Sequence, residues 1–317
     1  MSDVSYTTEE IAKLLKISKV TVYDLIKKGE LPSYRVGKQM RVDAADLEAY
    51  KQRERGGSFS VLGDASDRTS SYTPMQSSVI NGSRTIVITG QDISVDILSR
   101  HIEKTVSGIR PLRAYVGSMD SLISMYRGEC DIVSTHLFDG ETGEYNIPYV
   151  RRIFTGFSYL IVNLLSRQCG FFVQKGNPLG MHGWADLKKN GLRVANRERG
   201  VGSRVLLDEQ LRLLGIKGDQ LEGYDREESN QIGIAAKVAS GEADFGIGNE
   251  KTAATVGNVD FIPLIEERYD LVMMKRQENR EWIRSVMQIL NSQVFLNELR
   301  SIPGYDLSKT GKIMFET

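Results

Sequence analysis

Two cysteines, two tryptophans and three histidines are all that the 317 residues hold of those types. Cys130 and Cys169 cannot build a framework of bridges, and such sparse cysteine fits a reducing compartment. His101, His136 and His182 fall on separate segments, so the sequence offers no His/Cys cluster at metal-ligand spacing. Lys+Arg and Asp+Glu both total 41, so net charge points to neither nucleic acid nor membrane. No apolar run approaches the roughly 20 residues that a membrane-spanning helix needs. MSDVSYTTEEIAKLL lacks the basic and apolar regions of a secretory signal, so a cytoplasmic protein without membrane partners is expected. GVGSR is too short for a nucleotide loop, and no GKS, GKT or nucleophile elbow is present. The expectation is therefore a protein that is not an enzyme and carries no cofactor.

The length allows two or three domains, each with its own core. Residues 1–55 open with Thr7-Thr8-Glu9-Glu10, a capping-box pattern, followed by Ile11, Leu14 and Leu15 at helical spacing. Ser18 caps a second helix, SKVTVYDLIKKG, with Val22, Leu25 and Ile26 facing inward and Gly29 as its stop. Two short helices joined by a few residues make a helix-turn-helix. The second helix presents Lys19, Thr21, Tyr23, Lys27 and Lys28, side chains able to reach base edges and phosphates. LPSYRVGKQMRV then reads as a basic hairpin wing carrying Arg35, Lys38 and Arg41, and Asp43 caps a third helix. Residues 1–55 hold 11 basic against 9 acidic groups, so the DNA reading rests on where charge clusters rather than on its total. One module of this size buries little surface, so a homodimer on double-stranded operator DNA is expected.

Residues 56–82 are rich in Ser and Gly without a sustained period, as in a flexible tether. From 83 to 317 strands and helices alternate, which implies an α/β fold with a largely parallel sheet. Arg84–Thr89 reads as a strand and Asp92–Lys104 as the next helix. Ala114–Val116 reads as a short strand that Gly117-Ser118 turn into a helix bearing Leu122, Ile123 and Tyr126. Ile132–Thr135 is the following strand. Tyr159–Asn163 and Gly170–Gln174 read as two strands, as do Phe261–Leu264 and Tyr269–Met273. Ser203–Leu214 is a long amphipathic helix, and two helical segments close the chain.

The order of elements in residues 1–55 resembles the excisionase-type winged helix-turn-helix family, related to the MerR group. Residues 84–275 resemble the receptor-like domain of molybdate- or tungstate-responsive regulators, most specifically through THLFDGETGEYN and NRERGVGSR. Two loops depart from that pattern: Gly90-Gln91-Asp92 stands for Gly-His-Asp, and Gly200-Val201-Gly202-Ser203-Arg204 for Gly-Ser-Gly-Thr-Arg. The resemblance implies an α/β fold, with a winged helix-turn-helix joined to a two-lobed, periplasmic-binding-protein-like Venus-flytrap domain. It also implies a one-component transcription regulator whose effector is a small oxyanion of molybdenum or tungsten.

From the residues themselves, Gly117-Ser118 and Gly202-Ser203 each open a helix, where free N–H groups and the helix dipole attract anions. Facing one another across a cleft, they would form a donor-only cage suited to a fully deprotonated tetrahedral anion. Ser118 and Ser203 are the expected direct ligands, with Thr89, Gly90, Tyr145, Asn196 and Arg204 as helpers. Asp92, Asp120 or Glu250 as an acceptor would suit protonated phosphate instead. Three other readings stay open: an organic metabolite or cofactor-fragment effector, an architectural, excisionase-like DNA-bending protein, and an enzyme on the receptor scaffold.

Overall fold

The computed structural model describes residues 5–15, 17–27, 31–36, 39–44, 46, 47, 50, 79, 80 and 83–317. The chain forms two compact units, residues 1–71 and 72–317. The expected tether straddles that boundary and, apart from residues 79 and 80, lies outside the described residues.

In the first unit, β1 (Ser5–Thr7) leads into α1 (Thr8–Leu15) and α2 (Lys19–Lys27), followed by β2 (Tyr34–Val36) and β3 (Gln39–Asp43). The capping box forms: Glu10 Oε2 accepts from Thr7 N at 2.8 Å, and Thr7 Oγ1 accepts from Glu10 N at 3.4 Å. Ser18 Oγ accepts from Thr21 N at 3.1 Å, starting α2. The strands pair antiparallel in the order β1-β3-β2, closing the wing over a core of Ile11, Val22, Leu31, Val42 and Leu47. Leu14 turns outward and is exposed, so α1 docks on Ile11 and Leu15, one turn apart. The wing tip at Gly37-Lys38, the Gly29 helix stop and most of the third helix fall outside the described residues.

In the second unit, β4 (Val79–Ile80), β5 (Ser83–Thr89), α3 (Ile93–Thr105), β6 (Ile109–Ala114), α4 (Ser118–Tyr126), β7 (Ile132–Thr135) and α5 (Ile147–Ile153) build lobe one. A 16-residue strand, β8 (Tyr159–Gln174), crosses into lobe two. There β9 (Val194–Arg197), α6 (Gly202–Leu214), β10 (Glu227–Glu228), α7 (Gln231–Ala239), β11 (Phe245–Asn249) and α8 (Glu250–Val256) follow. The equally long β12 (Val259–Met274) returns to lobe one, which α9 (Arg280–Leu290), α10 (Gln293–Arg300), β13 (Tyr305–Asp306) and β14 (Ile313–Glu316) complete. One continuous sheet, β10-β9-β11-β8-β12-β7-β5 with β6 beyond β5, passes through both lobes.

Helices cover both faces of each half. In lobe one, α3, α9 and α10 bury Leu98, Ile102, Trp282 and Phe295 on one face, while α4 and α5 bury Leu122, Met125 and Val150 on the other. In lobe two, α6 contributes Leu206, Leu207 and Leu211 to one face, and α7 contributes Ile234 and Val238 to the other. Each such apolar side chain removed from water contributes about 1.5–3 kcal/mol, so both lobes have substantial cores.

Three sequence expectations change. The sheet is mixed: β5–β7 and β9–β11 pair in parallel within their lobes, but β8 and β12 run antiparallel. The early strand is Ile109–Ala114, earlier than Ala114–Val116. It is an edge strand with Pro111 and three arginine-bearing or exposed positions, a composition that hides its pleat. Finally, each pair of expected short strands is one long strand. Ser166-Arg167-Gln168 and Glu266-Glu267-Arg268 look like loops, yet Ser166, Arg167 and Glu267 are buried where the chain crosses between lobes.

Candidate functional site between the two lobes

Three segments meet where the lobes face each other: the start of α4, the turn after β7, and the start of α6. Met119 N donates to the Gly200 carbonyl at 3.0 Å, joining the lobes backbone to backbone. Gly202 lies against His136, where an added Cβ would come within 2.1 Å of the imidazole Cδ2 and 2.6 Å of the His136 carbonyl oxygen. Only glycine permits that approach. Ser118, buried, has Oγ 3.1 Å from His136 Nδ1 and accepts the His136 backbone N–H at 3.3 Å. The two expected serine ligands thus start helices that pack against one histidine.

Four buried hydroxyls in or after β7 and in α6 have no hydrogen-bond partner within the protein: Ser134 and Thr135 in β7, Tyr145 after it, and Ser203 in α6. A buried unpaired hydroxyl costs about 1–3 kcal/mol, so each calls for a partner; Ser134 and Thr135, adjacent in β7, point to opposite faces of the sheet. Burial, then the Glu267 carboxylate, pushes the Tyr145 hydroxyl well above the usual range, which keeps it a donor. The flanking loop is rigidly built. Asp139 Oδ1 accepts from Glu141 N, Thr142 N and Thr142 Oγ1, while Gly140 N donates to Glu209 Oε2 of lobe two at 2.8 Å. Phe138 and Tyr145 from this loop enter the core of lobe two.

Beneath the cleft runs a charged network. Arg167 Nη1 lies 2.6 Å from Asp92 Oδ2 and Arg167 Nη2 lies 2.8 Å from Glu267 Oε1. The Arg167 guanidinium also covers the Tyr269 ring at 4.5 Å, and Tyr269 stacks on His136 with centroids 4.2 Å apart. Tyr305 donates to Asp92 at 2.6 Å. Burial acts to raise the Asp92 carboxyl, but Arg167 and the hydrogen bonds from Ser94 and Tyr305 outweigh it and hold the group below its ordinary range. Both buried carboxylates are therefore occupied, and Asp92 is not the free acceptor the sequence allowed. Burial drives His136 down to about 4, so the ring is neutral at physiological pH.

The remaining expected helpers divide. Thr89, whose Oγ1 donates to the Ile132 carbonyl at 3.4 Å, and Gly90 sit beside Ser134. Gly90 has φ +140° and would place a Cβ 2.7 Å from Ser134 Cβ, so a side chain there would be strained and crowded. Asn196 and Arg204 are not brought to the cleft. Asn196 Nδ2 donates to the Tyr224 carbonyl and its Oδ1 accepts from Arg197 N. Arg204 is spent on Asp208, the Arg197 and Tyr224 carbonyls and the Tyr224 ring, because its place on α6 points it into lobe two. Arg197, which sequence reasoning left out, instead bridges the lobes by donating to Gln91 Oε1 at 3.2 Å. Ser134, Thr135, Arg167, Glu267 and Tyr269 were also missed. Polar residues inside strands were the available signal.

Profiles for two domains match the chain, a helix-turn-helix domain at residues 5–55 and a PBP superfamily domain at residues 99–291. The chain belongs to the PBP superfamily. A Bacillus subtilis (strain 168) relative, the uncharacterized protein YvgK, is 49% identical over 313 residues, covering 99% of this chain and 98% of its own. Among solved structures, a histidine kinase sensor domain with similarity to periplasmic binding proteins superposes with TM-score 0.52 at 14% identity, covering 71% of this chain and 99% of its own. EhuB in complex with hydroxyectoine gives TM-score 0.51 at 12% identity, covering 69% of this chain and 88% of its own. These likenesses establish a two-lobed PBP-superfamily unit joined to a helix-turn-helix unit. Among the described residues no helix is long and apolar enough to cross a membrane.

On the helix-turn-helix unit, Thr21, Tyr23 and Arg35 are exposed. Lys19 forms an ion pair with Glu9 of α1, and Arg41 Nη1 donates to Ser5 Oγ at 3.1 Å. Each cation keeps further N–H donors beyond that contact. Lys28 and Lys38 lie outside the described residues, as does the Lys27 side chain.

Proposed function

We propose that this PBP-superfamily protein is a ligand-responsive transcription regulator whose cleft takes a fully deprotonated tetrahedral oxyanion, molybdate or tungstate. The observation that carries the reading is the unpartnered buried hydroxyl of Ser203 at the start of α6, which meets the start of α4 and Ser118 where the lobes face each other. An anion with four acceptor oxygens and no proton would pair it, with Ser118 as a further donor. Asp92 and Glu267 are both engaged by Arg167, so neither offers a free acceptor to a protonated ligand. An organic effector is less well served: His136 and Tyr269 stack on each other, and Tyr145 packs on Phe138, so these rings are already covered. The protein works by binding rather than turnover.

The helix-turn-helix units of a homodimer would read operator DNA, and ligand would act by favouring the closed lobes. Such a switch requires different ligand affinity for open and closed states. Calorimetric titration with molybdate, tungstate, sulfate and phosphate tests the reading. Molybdate or tungstate should bind, and Ser118→Ala or Ser203→Ala should weaken binding roughly 10-fold or more, the loss of a hydrogen bond to a charged acceptor. No heat and no competition from any of the four anions would discard the oxyanion. DNA affinity unmoved by saturating ligand would discard the switch.

A further inference from the structure

A hydroxyl can donate to an anion only if no neighbour claims its proton, and Ser118 stands beside one that can. The His136 backbone N–H already donates to Ser118 Oγ, and His136 Nδ1 lies 3.1 Å from the same oxygen. A neutral imidazole permits two arrangements: Nδ1–H donates to Ser118, or Nδ1 accepts the Ser118 proton. The first leaves that proton for the cleft, and the second consumes it.

The other ring nitrogen decides between them. His136 and Tyr269 stack with their planes 13° apart, and Tyr269 Oη forms a hydrogen bond with Nε2 at 3.4 Å. Among the described residues that is the hydrogen bond of the buried Tyr269 hydroxyl, and Nε2 can accept its proton only while unprotonated. Gly202 packs against the same ring, where a Cβ would lie 2.3 Å from Nε2. Protonating Nε2 would therefore leave the buried Tyr269 O–H without that acceptor, whereas an unprotonated Nε2 accepts it and a proton on Nδ1 meets Ser118 Oγ.

We propose that His136 is a positioning residue of the cleft. As the Nδ1–H tautomer, its ring and its backbone N–H together saturate the acceptor side of Ser118 and make that hydroxyl an obligate donor. This would determine specificity: a ligand oxygen without a proton is held, while a P–OH or C–OH group finds no acceptor at Ser118. The consequence for ligand choice rests on the oxyanion reading; the tautomer does not.

Long-range 1H–15N correlation spectra of the full-length protein with 15N-labelled histidine, at neutral pH without ligand, identify the protonated nitrogen. His136→Asn assigns the signals. Pyridine-type Nε2 and pyrrole-type Nδ1 are expected, and pyridine-type Nδ1 would overturn the inference. Molybdate titration gives a second arm. His136→Leu should weaken binding roughly 10-fold, whereas His136→Asn, whose amide can donate from the Nδ1 position, should stay within about threefold of the parent. Equal losses in two variants with unchanged circular dichroism would also overturn it. If the parent protein binds neither molybdate nor tungstate, the oxyanion reading fails, and the tautomer spectra alone decide the role of His136.

Discussion

Arg167 and Glu267 face each other across the two long strands that join the lobes, paired in register with Nη2 and Oε1 2.8 Å apart. Both are almost fully buried, at 8% and 2% exposure, so neither charge is screened by water. Taking two ions out of water is costly, and only a well-formed network offsets it. Asp92 supplies the third member, tying helix α3 to the crossing. The polar middle of β8 and β12 thus holds the lobes at the point where they articulate.

Arg167→Met should be strongly destabilising because it leaves Asp92 and Glu267 buried without a counter-ion. A loss of about 3–5 kcal/mol in urea unfolding is expected. Pairing it with Glu267→Leu and Asp92→Asn should recover much of that loss. No recovery would mean that packing rather than charge dominates at the crossing.

Stability should fall on mild acidification. His136 binds its proton at about 4 in the folded protein against an ordinary 6.5, so between those values the unfolded chain holds more protons. Its contribution is complete above about 6.5 and declines as pH drops towards 4, by at most about 3 kcal/mol. The difference between parent and His136→Leu in pH-dependent denaturant melts measures it. Parallel curves from pH 7 to 4 would refute the assignment.

Gly202→Ala should oppose lobe closure, since its Cβ would fall 2.1 Å from His136 Cδ2 and 2.6 Å from a backbone oxygen. The fold within each lobe is untouched by this clash. Small-angle scattering should then show a larger radius of gyration than the parent in saturating molybdate, with weaker binding. An unchanged radius and affinity would place the lobe contact elsewhere.

Arg35→Ala should weaken DNA binding evenly across sequences and reduce the salt slope by about 0.9, the change expected when one phosphate is no longer neutralised. Arg35 is exposed on the wing strand β2, which suits a backbone contact. Fluorescence anisotropy against salt concentration reads this. A change confined to one sequence would make Arg35 a base reader instead.

Thr7→Ala removes one side of the capping box that starts α1. It should cost the helix-turn-helix unit about 1 kcal/mol. Separate melting of that unit, followed by its own probe, is the check.

Much of the architecture was legible in the sequence because its signals are local. Capping at Thr7 and Ser18, the glycine-serine starts of α4 and α6, and the β-branched run of β5 depend on neighbouring residues alone. They set both the division into a helix-turn-helix and an α/β domain and the location of Ser118 and Ser203 at helix starts. What the tertiary structure decided lies in the crossing strands and the cleft. Arg167 and Glu267 are a hundred residues apart, and each alone marks a break in an apolar pattern. Only when β8 and β12 pair do their charges offset each other, turning four apparent short strands into two long ones. The same holds for Arg204 and His136. Helical phase turns Arg204 into lobe two, and the approach of Gly202 from the other lobe makes His136 part of the site. Polar side chains are inexpensive to bury only where partners from distant segments meet them, and sequence spacing carries no record of that meeting.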